Sequence, residues 1–252
     1  MNQWTLAAGL FGLAAGLAQG QTLFGVGNFS AFGDQSLYAI DTVTGQATLI
    51  GNTGLRQIAG LDWDSSSGRL VALTVAGDVF EISRTTGTST RIVDLAFNVP
   101  EGSVLARSGV TYTSIFNNLH TLNGSTWQSV GASGLAGTAD ISGLEILDDG
   151  RLVGLAVNAA GGDSLVSFNT SNGLASAIGL TGTNSLSLGG LAYDGTLYMT
   201  DGASLFRVDT STGAASLIGA HGVAGFSGLA IPAPATAGII GFAALSLGRR
   251  RR

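Results

Sequence analysis

The chain has 252 residues and a mass of 25.2 kDa, with 40 glycines, only 11% charged residues and a mean hydropathy of +0.38. Because about a quarter of the residues in an ordinary soluble domain are charged, this composition favours many short strands of small residues over a helical enzyme. Cysteine is absent, which excludes disulfides, thiolate metal sites, cysteine nucleophiles and a cysteine-linked lipid anchor.

Charge is distributed unevenly along the chain. Lysine is absent, all eleven basic residues are arginines, and four of these are the last four residues. The other seven arginines stand against sixteen carboxylates, which leaves a net charge of −9 on the rest of the chain. A body of this sign lacks the basic patch that a phosphate backbone requires, so we expect no nucleic-acid partner.

The N-terminal segment has the pattern of a secretory signal. An uncharged apolar run over residues 5–18 is followed by the small residues Ala18 and Gly20, at the positions that signal peptidase requires. The run of about 14 residues is shorter than the roughly 20 residues of a membrane-spanning helix. We therefore predict a signal peptide over residues 1–20 and a mature chain that begins at Gln21. A buried core helix is the alternative.

The C-terminal segment combines prolines, an apolar stretch and a basic end. Pro232 and Pro234, with Ala233 between them, block a continuing strand or helix, so the folded body is predicted to end at residue 231. The 14 apolar residues 235–248 rise about 21 Å as a helix, a marginal span of the roughly 30 Å hydrocarbon core. The chain ends in four arginines that favour the cytoplasmic side of a membrane: Arg249, Arg250, Arg251 and Arg252.

A Pro-x-Pro motif, a short apolar helix and a terminal arginine cluster on a signal-bearing chain resemble the PEP-CTERM sorting signal. The resemblance covers residues 232–252, with Ala233 in place of the glutamate of the family's Pro-Glu-Pro motif, so this is a Pro-Ala-Pro variant. It implies transient anchoring in the inner membrane, processing by an exosortase-like enzyme, and a final location at the cell surface or outside the cell. A tail anchor that is never cut is the alternative, and it also places the body outside the cytoplasm.

Between the two end segments, residues 21–231 contain a repeated hairpin. An apolar strand, a polar turn and a second apolar strand occupy residues 37–51 and return nearly letter for letter at 205–219. A second type of hairpin recurs upstream, with turns at 64–68, 148–150 and 194–195. A period of 40–46 residues is typical of a four-stranded propeller blade. In this chain, that period separates the polar residues that end the first strand of each copy of the repeated hairpin: Asp41, Ser83, Asn123, Asn169 and Asp209.

The first repeat lacks the Gly-Leu strand that begins the others, and Gly228-Leu229-Ala230-Ile231 supplies it at the far end of the chain. We therefore predict an all-β, five-bladed β-propeller in which a C-terminal strand completes the first blade and removes an open edge. The predicted blades are 21–57 with 226–231, 58–106, a degenerate 107–138, 139–184 and 185–225. Glycines are expected where inner strands approach closely at a narrow hub: Gly60, Gly109, Gly143, Gly190 and Gly228. A β-sandwich and a solenoid are the alternatives.

Few residues are candidates for chemistry. His120 and His221 belong to no zinc, nucleophile or phosphate-loop pattern. The segment 62–66 begins like a calcium loop but lacks the glycine and the glutamate of that loop, and the same applies to residues 148–149. We therefore predict no metal or other cofactor, with calcium as the alternative.

Trp127 is the aromatic residue that we expect to be exposed, because it lies in the degenerate blade, and it is our aromatic candidate for ligand contact. The predicted inner strands offer Asp62 and Glu145 as carboxylates. One hypothesis is a non-catalytic surface or matrix protein that binds an extracellular polysaccharide or another protein. The alternative is a polysaccharide hydrolase or lyase that uses these carboxylates in the channel, which requires that they lie close together.

Overall fold

The computed structural model describes residues 22–28, 33–93, 110–115, 117–124, 126–158, 162–184 and 189–232. These residues form nineteen strands and no helix. In chain order the strands are β1 Leu23–Gly27, β2 Ser36–Ile40, β3 Ala47–Asn52, β4 Ile58–Asp64, β5 Arg69–Thr74, β6 Val79–Ile82, β7 Ser89–Val93, β8 Tyr112–Ile115, β9 Asn118–Asn123, β10 Thr126–Ala132, β11 Thr138–Ile146, β12 Leu152–Asn158, β13 Ser164–Phe168, β14 Ala175–Leu180, β15 Leu191–Tyr193, β16 Leu197–Thr200, β17 Ser204–Val208, β18 Ala215–Ala220 and β19 Phe226–Ala230.

The strands form five antiparallel sheets, which are the blades of a propeller ring, as predicted. From the hub outward, the blades are β19-β1-β2-β3, β4 to β7, β8 to β10, β11 to β14 and β15 to β18. The third blade has three strands within the described residues, and Gly109 lies outside them. The fourth blade begins at Thr138, one residue before its predicted start.

The first blade is closed by the C-terminal strand, as the sequence predicts. In the register of β1 and β19, Phe24 lies opposite Ala230, Gly25 opposite Leu229, and Val26 opposite Gly228. The strand that begins the chain's body is therefore hydrogen-bonded to the strand that ends it. This pairing covers the inner edge of β1.

The outer hairpins form because their turns satisfy the local backbone. The side chain of Asp41 accepts hydrogen bonds from the amides of Val43 and Thr44 at 2.7 and 3.0 Å, and Gly45 adopts the left-handed φ of 79° that closes the turn. Asp209 does the same with the amides of Ser211 and Thr212. An Asx side chain followed by a left-handed glycine thus fixes the register of the hairpin.

The core is divided into five apolar clusters, one at each boundary between neighbouring blades. Strands β4, β5 and β12 are buried along almost their whole length, because a neighbouring blade covers each face. The outer strands β3, β14 and β18 instead share one pattern of partly and fully exposed residues. Stability therefore depends on contacts between blades as well as on pairing within them.

Glycines also join the blades at the rim of the ring. A Cβ on Gly219 of the fifth blade would lie 2.1 Å from the carbonyl oxygen of Thr44 in the first blade. A Cβ on Gly179 of the fourth blade would lie 2.0 Å from the carbonyl oxygen of Thr212 in the fifth. Since these neighbours are backbone atoms, no side chain fits at either position. The repeated Ile-Gly ending of the outer strand is therefore a requirement of blade packing.

Candidate functional site

The hub is built from inner strands in direct backbone contact. A Cβ on Gly228 would lie 2.5 Å from the amide nitrogen of Leu61 in the second blade, and one on Gly190 would lie 2.6 Å from that of Leu229. A Cβ on Gly143 would lie 3.1 Å from the amide nitrogen of Leu191. At the first two of these boundaries only glycine allows the strands to approach so closely, and at the third a Cβ would be in tight contact.

Asp62 lies in the inner strand of the second blade and is 2% exposed. Its side chain accepts a hydrogen bond from the amide of Trp63 at 2.6 Å. Asp62 stands opposite Val71, and residues opposite each other in an antiparallel pair share a face. Val71 belongs to the apolar cluster between the second and third blades. The carboxylate of Asp62 is therefore directed to that boundary.

Glu145 occupies the equivalent position in the fourth blade and is 4% exposed. Its carboxylate accepts a hydrogen bond from the amide of Ile146 at 2.9 Å. It stands opposite Val153, which belongs to the cluster between the fourth and fifth blades. Asp62 and Glu145 thus point into different boundaries, so the structure does not bring them together as a pair for acid–base chemistry.

The exposure that the sequence suggested for Trp127 was wrong. Trp127 is only 9% exposed and packs with Val71 and Ile115 between the second and third blades. The reason is that the second blade covers the third, even though the third has fewer strands in the described residues. The indole Nε1 is buried and has no hydrogen-bond partner. In this conformation Trp127 offers no open aromatic surface for a sugar ring.

Both histidine rings contact neighbouring groups of the fold. His120 is half-buried in β9, with Nδ1 3.0 Å from the carbonyl oxygen of Asn118. His221 is 1% exposed, its ring lies edge-on to Phe226 with centroids 4.7 Å apart, and its Nδ1 accepts the amide hydrogen of Val223 at 3.3 Å. Burial lowers the pKa of His221, so the neutral form is favoured where the fifth blade meets the first.

In the suggested calcium loop, the carboxylate of Asp64 is hydrogen-bonded within its own turn. Asp64 accepts hydrogen bonds from the amide and the hydroxyl of Ser66, at 2.9 and 2.7 Å, and from the hydroxyl of Ser67. These hydrogen bonds give Asp64 a role in closing its turn. Among the described residues, no three His, Asp or Glu side chains are grouped as metal ligands.

The propeller has two faces that differ in their connections. We call the face with the inner-hairpin turns, at 64–68, 147–151 and 194–196, the turn face. The opposite face, where β4, β11 and β19 begin and where residues 75–78 and 201–203 join strands, is the loop face. In the first blade, no inner-hairpin turn joins the two inner strands: β1 begins and β19 ends at the turn face. Asp64 pairs with Arg69 in the second blade, and continuing the register of β1 and β19 by two residues beyond Phe24 and Ala230 gives Thr22 and Pro232 as the equivalent positions of the first blade.

The loop face contains every non-glycine residue with a left-handed backbone in the described part of the chain: Asn28, Gln57 and Asn117, at φ of 62°, 50° and 61°. Such residues cost about 1–3 kcal/mol each and concentrate at functional sites. Beneath them, Gln35 is fully buried. Its side-chain nitrogen Nε2 donates a hydrogen bond to Ser227 Oγ at 2.8 Å, and its side-chain oxygen Oε1 accepts one from the backbone amide of Ile58. This hydrogen-bond network joins two inner strands and supports the loop face.

A recurring element on the loop face, in addition to the hairpins, was not predicted from the sequence. After each outer strand of the first, third, fourth and fifth blades, a buried polar residue precedes a left-handed glycine. At three boundaries, the backbone amide of the first residue in the next blade's outer strand donates a hydrogen bond to the carbonyl oxygen of this polar residue. Ala175 donates in this way to Ser133 at 2.8 Å. The Ser/Thr/His-Gly dipeptide was the available signal: Thr53-Gly54, Ser133-Gly134, Thr181-Gly182 and His221-Gly222.

The proposed sorting residues fall mostly beyond the described part of the chain. Pro232 is described and half-buried, whereas Ala18, Gly20, Gln21, Ala233, Pro234 and Arg249 to Arg252 are outside it. Within the described residues, no helix is long and apolar enough to cross a membrane.

Comparisons with known proteins identify similar folds. No protein-family model matches the chain, and no curated protein matches it in sequence. One chain in the crystal structure of a nidogen/laminin complex superposes with a TM-score of 0.54 and 12% identity, over 84% of this chain and 98% of that one. TolB from Acinetobacter baumannii superposes with a TM-score of 0.46 and 10% identity, over 79% of this chain and 52% of that one. At these identities, the first likeness is one of fold alone.

Proposed function

We propose that this protein is an exported, surface-sorted binding or structural module with no catalytic activity of its own. The observation that carries the proposal is the placement of Asp62 and Glu145. Acid–base hydrolysis and elimination need two carboxylates, or a carboxylate and a histidine, around one substrate. Here the two candidate carboxylates face separate blade boundaries, and each accepts a hydrogen bond from the next backbone amide.

The partner in this proposal is an extracellular polysaccharide or protein that contacts the loop face. This face combines strained, polar residues with a rigid support from Gln35, which is an arrangement suited to a preformed contact surface. In this proposal recognition depends on neutral hydrogen bonds and shape, because lysine is absent and the arginines beside the loop face, Arg56 and Arg91, are paired with Asp34 and Asp78.

Export and sorting rest on the two end segments of the sequence. In this proposal signal peptidase removes residues 1–20, the apolar segment 235–248 holds the body at the inner membrane, and an exosortase-like enzyme cuts near Pro232 to Pro234. Mass spectrometry of protein from cells and medium tests these steps. A mature chain that begins at Gln21 and lacks Arg249 to Arg252 is expected. A chain that still ends in Arg252 contradicts sorting.

The choice between binding and catalysis is tested with a glycan array and a panel of polysaccharide substrates. We expect binding without turnover. Asp62→Asn and Glu145→Gln are the decisive variants, and Asp194→Asn, in a turn, is the matched control. Turnover that is abolished by both inner-strand changes and kept by the control contradicts the non-catalytic proposal.

The loop face is tested with Gln57→Gly, which removes the side chain and relieves the left-handed strain. We expect weaker binding of the partner found on the array, with an unchanged or higher melting temperature. Unchanged binding excludes Gln57 from the contact surface.

A further inference from the structure

The place where the chain leaves the propeller fixes how a tethered body is oriented. Strand β19 runs from the loop face to the turn face, and Ile231 just after it is 1% exposed. The polypeptide is therefore held firmly in the body up to the turn face. Only residues 232–234 separate this point from the apolar segment that begins at residue 235.

The reach of this linker is short. Three residues of fully extended chain span at most about 11 Å, and the two prolines in it restrict its conformations further. A body tethered in this way has its turn face at the lipid headgroups. The body cannot turn over without unfolding β19, because Leu229 and Ile231 are packed between the fifth and first blades.

Electrostatic attraction between the turn face and the lipid headgroups does not orient the body. Its described carboxylates outnumber its arginines, which are Arg69, Arg84 and Arg151; the carboxylates are Asp41, Asp64, Asp148, Asp149, Asp194 and Asp209. The backbone and side-chain hydrogen bonds from Arg151 lower the pKa of Asp149, which keeps this carboxylate ionised. An acidic face is not drawn to anionic lipids, so the position of the tether alone determines the orientation.

We infer that, while the C-terminal segment is in the membrane, the turn face rests against the phospholipid headgroups and the loop face points away from the membrane. This inference rests on the membrane tether of the proposed function and adds which surface meets the lipid. It also places Asn28, Gln57 and Asn117 on the side that a soluble or matrix partner can reach.

The natural absence of cysteine makes a direct test possible, because any introduced cysteine is the only labelling site. Ser65→Cys places a label in the exposed turn before β5, and Ala76→Cys places one in the exposed connection after it. Neither side chain is needed for a turn hydrogen bond. The two positions flank one strand of six residues, so about 20 Å separates them across the propeller.

Each variant, as the chain from Gln21 to Arg252 with a fluorophore on its cysteine, is reconstituted in phosphatidylcholine vesicles that contain a nitroxide-headgroup lipid. We expect both variants to float with the vesicles, and we expect the label at residue 65 to be quenched at least about threefold more strongly than the label at residue 76, given their separation along β5. Equal quenching, or stronger quenching at residue 76, overturns the orientation while the tether stands. Failure of both variants to float overturns the tether and the orientation together.

Discussion

The first and fifth blades carry almost the same outer hairpin but obtain their inner halves in different ways. Residues 37–51 and 205–219 form equivalent strands with equivalent Asx turns. The fifth blade is continuous in sequence, whereas the first takes its inner strand from a segment about 200 residues away. The comparison shows that the repeat encodes each hairpin locally, and that the ring depends on one long-range pairing.

The largest effect is expected when this pairing is removed. A chain truncated after Ser227 loses Leu229 and Ile231, which are 1% exposed, and their burial is worth about 2–3 kcal/mol each. That loss approaches the entire stability of many domains, so we expect the truncated body to be unfolded or to melt far lower than a chain truncated after Ala233. Thermal melts of the two secreted proteins measure the difference. Equal midpoints contradict ring closure by β19.

A substitution at the hub tests the same strand without removing it. Gly228→Ala places a methyl group against the backbone of Leu61, which cannot move aside as a side chain could, so we expect a loss of about 3 kcal/mol. Gly202→Ala is the matched control, because nothing lies within 4 Å of its Cβ; we expect a change within about 0.5 kcal/mol. Urea unfolding of both variants provides the values. A similar small effect at both positions rules out a tight hub.

The rim contacts show whether the closing boundary differs from an internal one. Gly219→Ala affects the boundary of the fifth and first blades, and Gly179→Ala affects that of the fourth and fifth. Their Cβ atoms would meet equivalent carbonyl oxygens at 2.1 and 2.0 Å, so we expect losses of about 2–3 kcal/mol each from overpacking. Equal losses in urea unfolding indicate that the closing boundary is packed like the others. A much smaller loss for Gly219→Ala indicates a looser closure.

The smallest expected effect is a pH dependence found at the closing boundary. Burial lowers the pKa of His221 below its ordinary 6.5. The unfolded chain therefore takes up a proton near pH 6.5 that the folded chain refuses, and stability falls as the pH drops from 6.5 towards the folded pKa. His221→Thr, which copies Thr53 and Thr181, should reduce the difference between melting temperatures at pH 7.5 and 5.5. An unchanged difference assigns the pH dependence to other groups.

The hairpins and the ring could be predicted from the sequence because both depend on local or repeated signals. Asp41 and Gly45 specify a turn by themselves, and the Gly-Leu strand at residue 228 was recognisable as the missing piece of a period. The tight hub at Gly190 was also expected, since the sequence shows a glycine in each predicted inner strand.

The direction of the candidate site residues could not be predicted. An inner strand buried on both faces shows no alternation of apolar and polar residues, so nothing in the sequence indicates which boundary Asp62 or Glu145 faces. The burial of Trp127 depends on Val71 of another blade, which lies far away in the chain. The meeting of Thr22 and Pro232 at one face follows only when the number and direction of the strands are known.

The most direct test of this architecture is a cross-link between the two ends of the propeller body. Thr22→Cys with Pro232→Cys places two cysteines where the register of β1 and β19, continued by two residues, sets them opposite each other. Opposed residues in antiparallel strands lie about 4.5–5.5 Å apart, within the range of a disulfide. Thr22→Cys with Ala76→Cys is the control, because residue 76 lies on the loop face. The structure predicts a rapid intramolecular disulfide in the first variant alone, seen as a mobility shift of the monomer on a non-reducing gel. Cross-linking no faster than in the control contradicts a ring closed by the C-terminal strand.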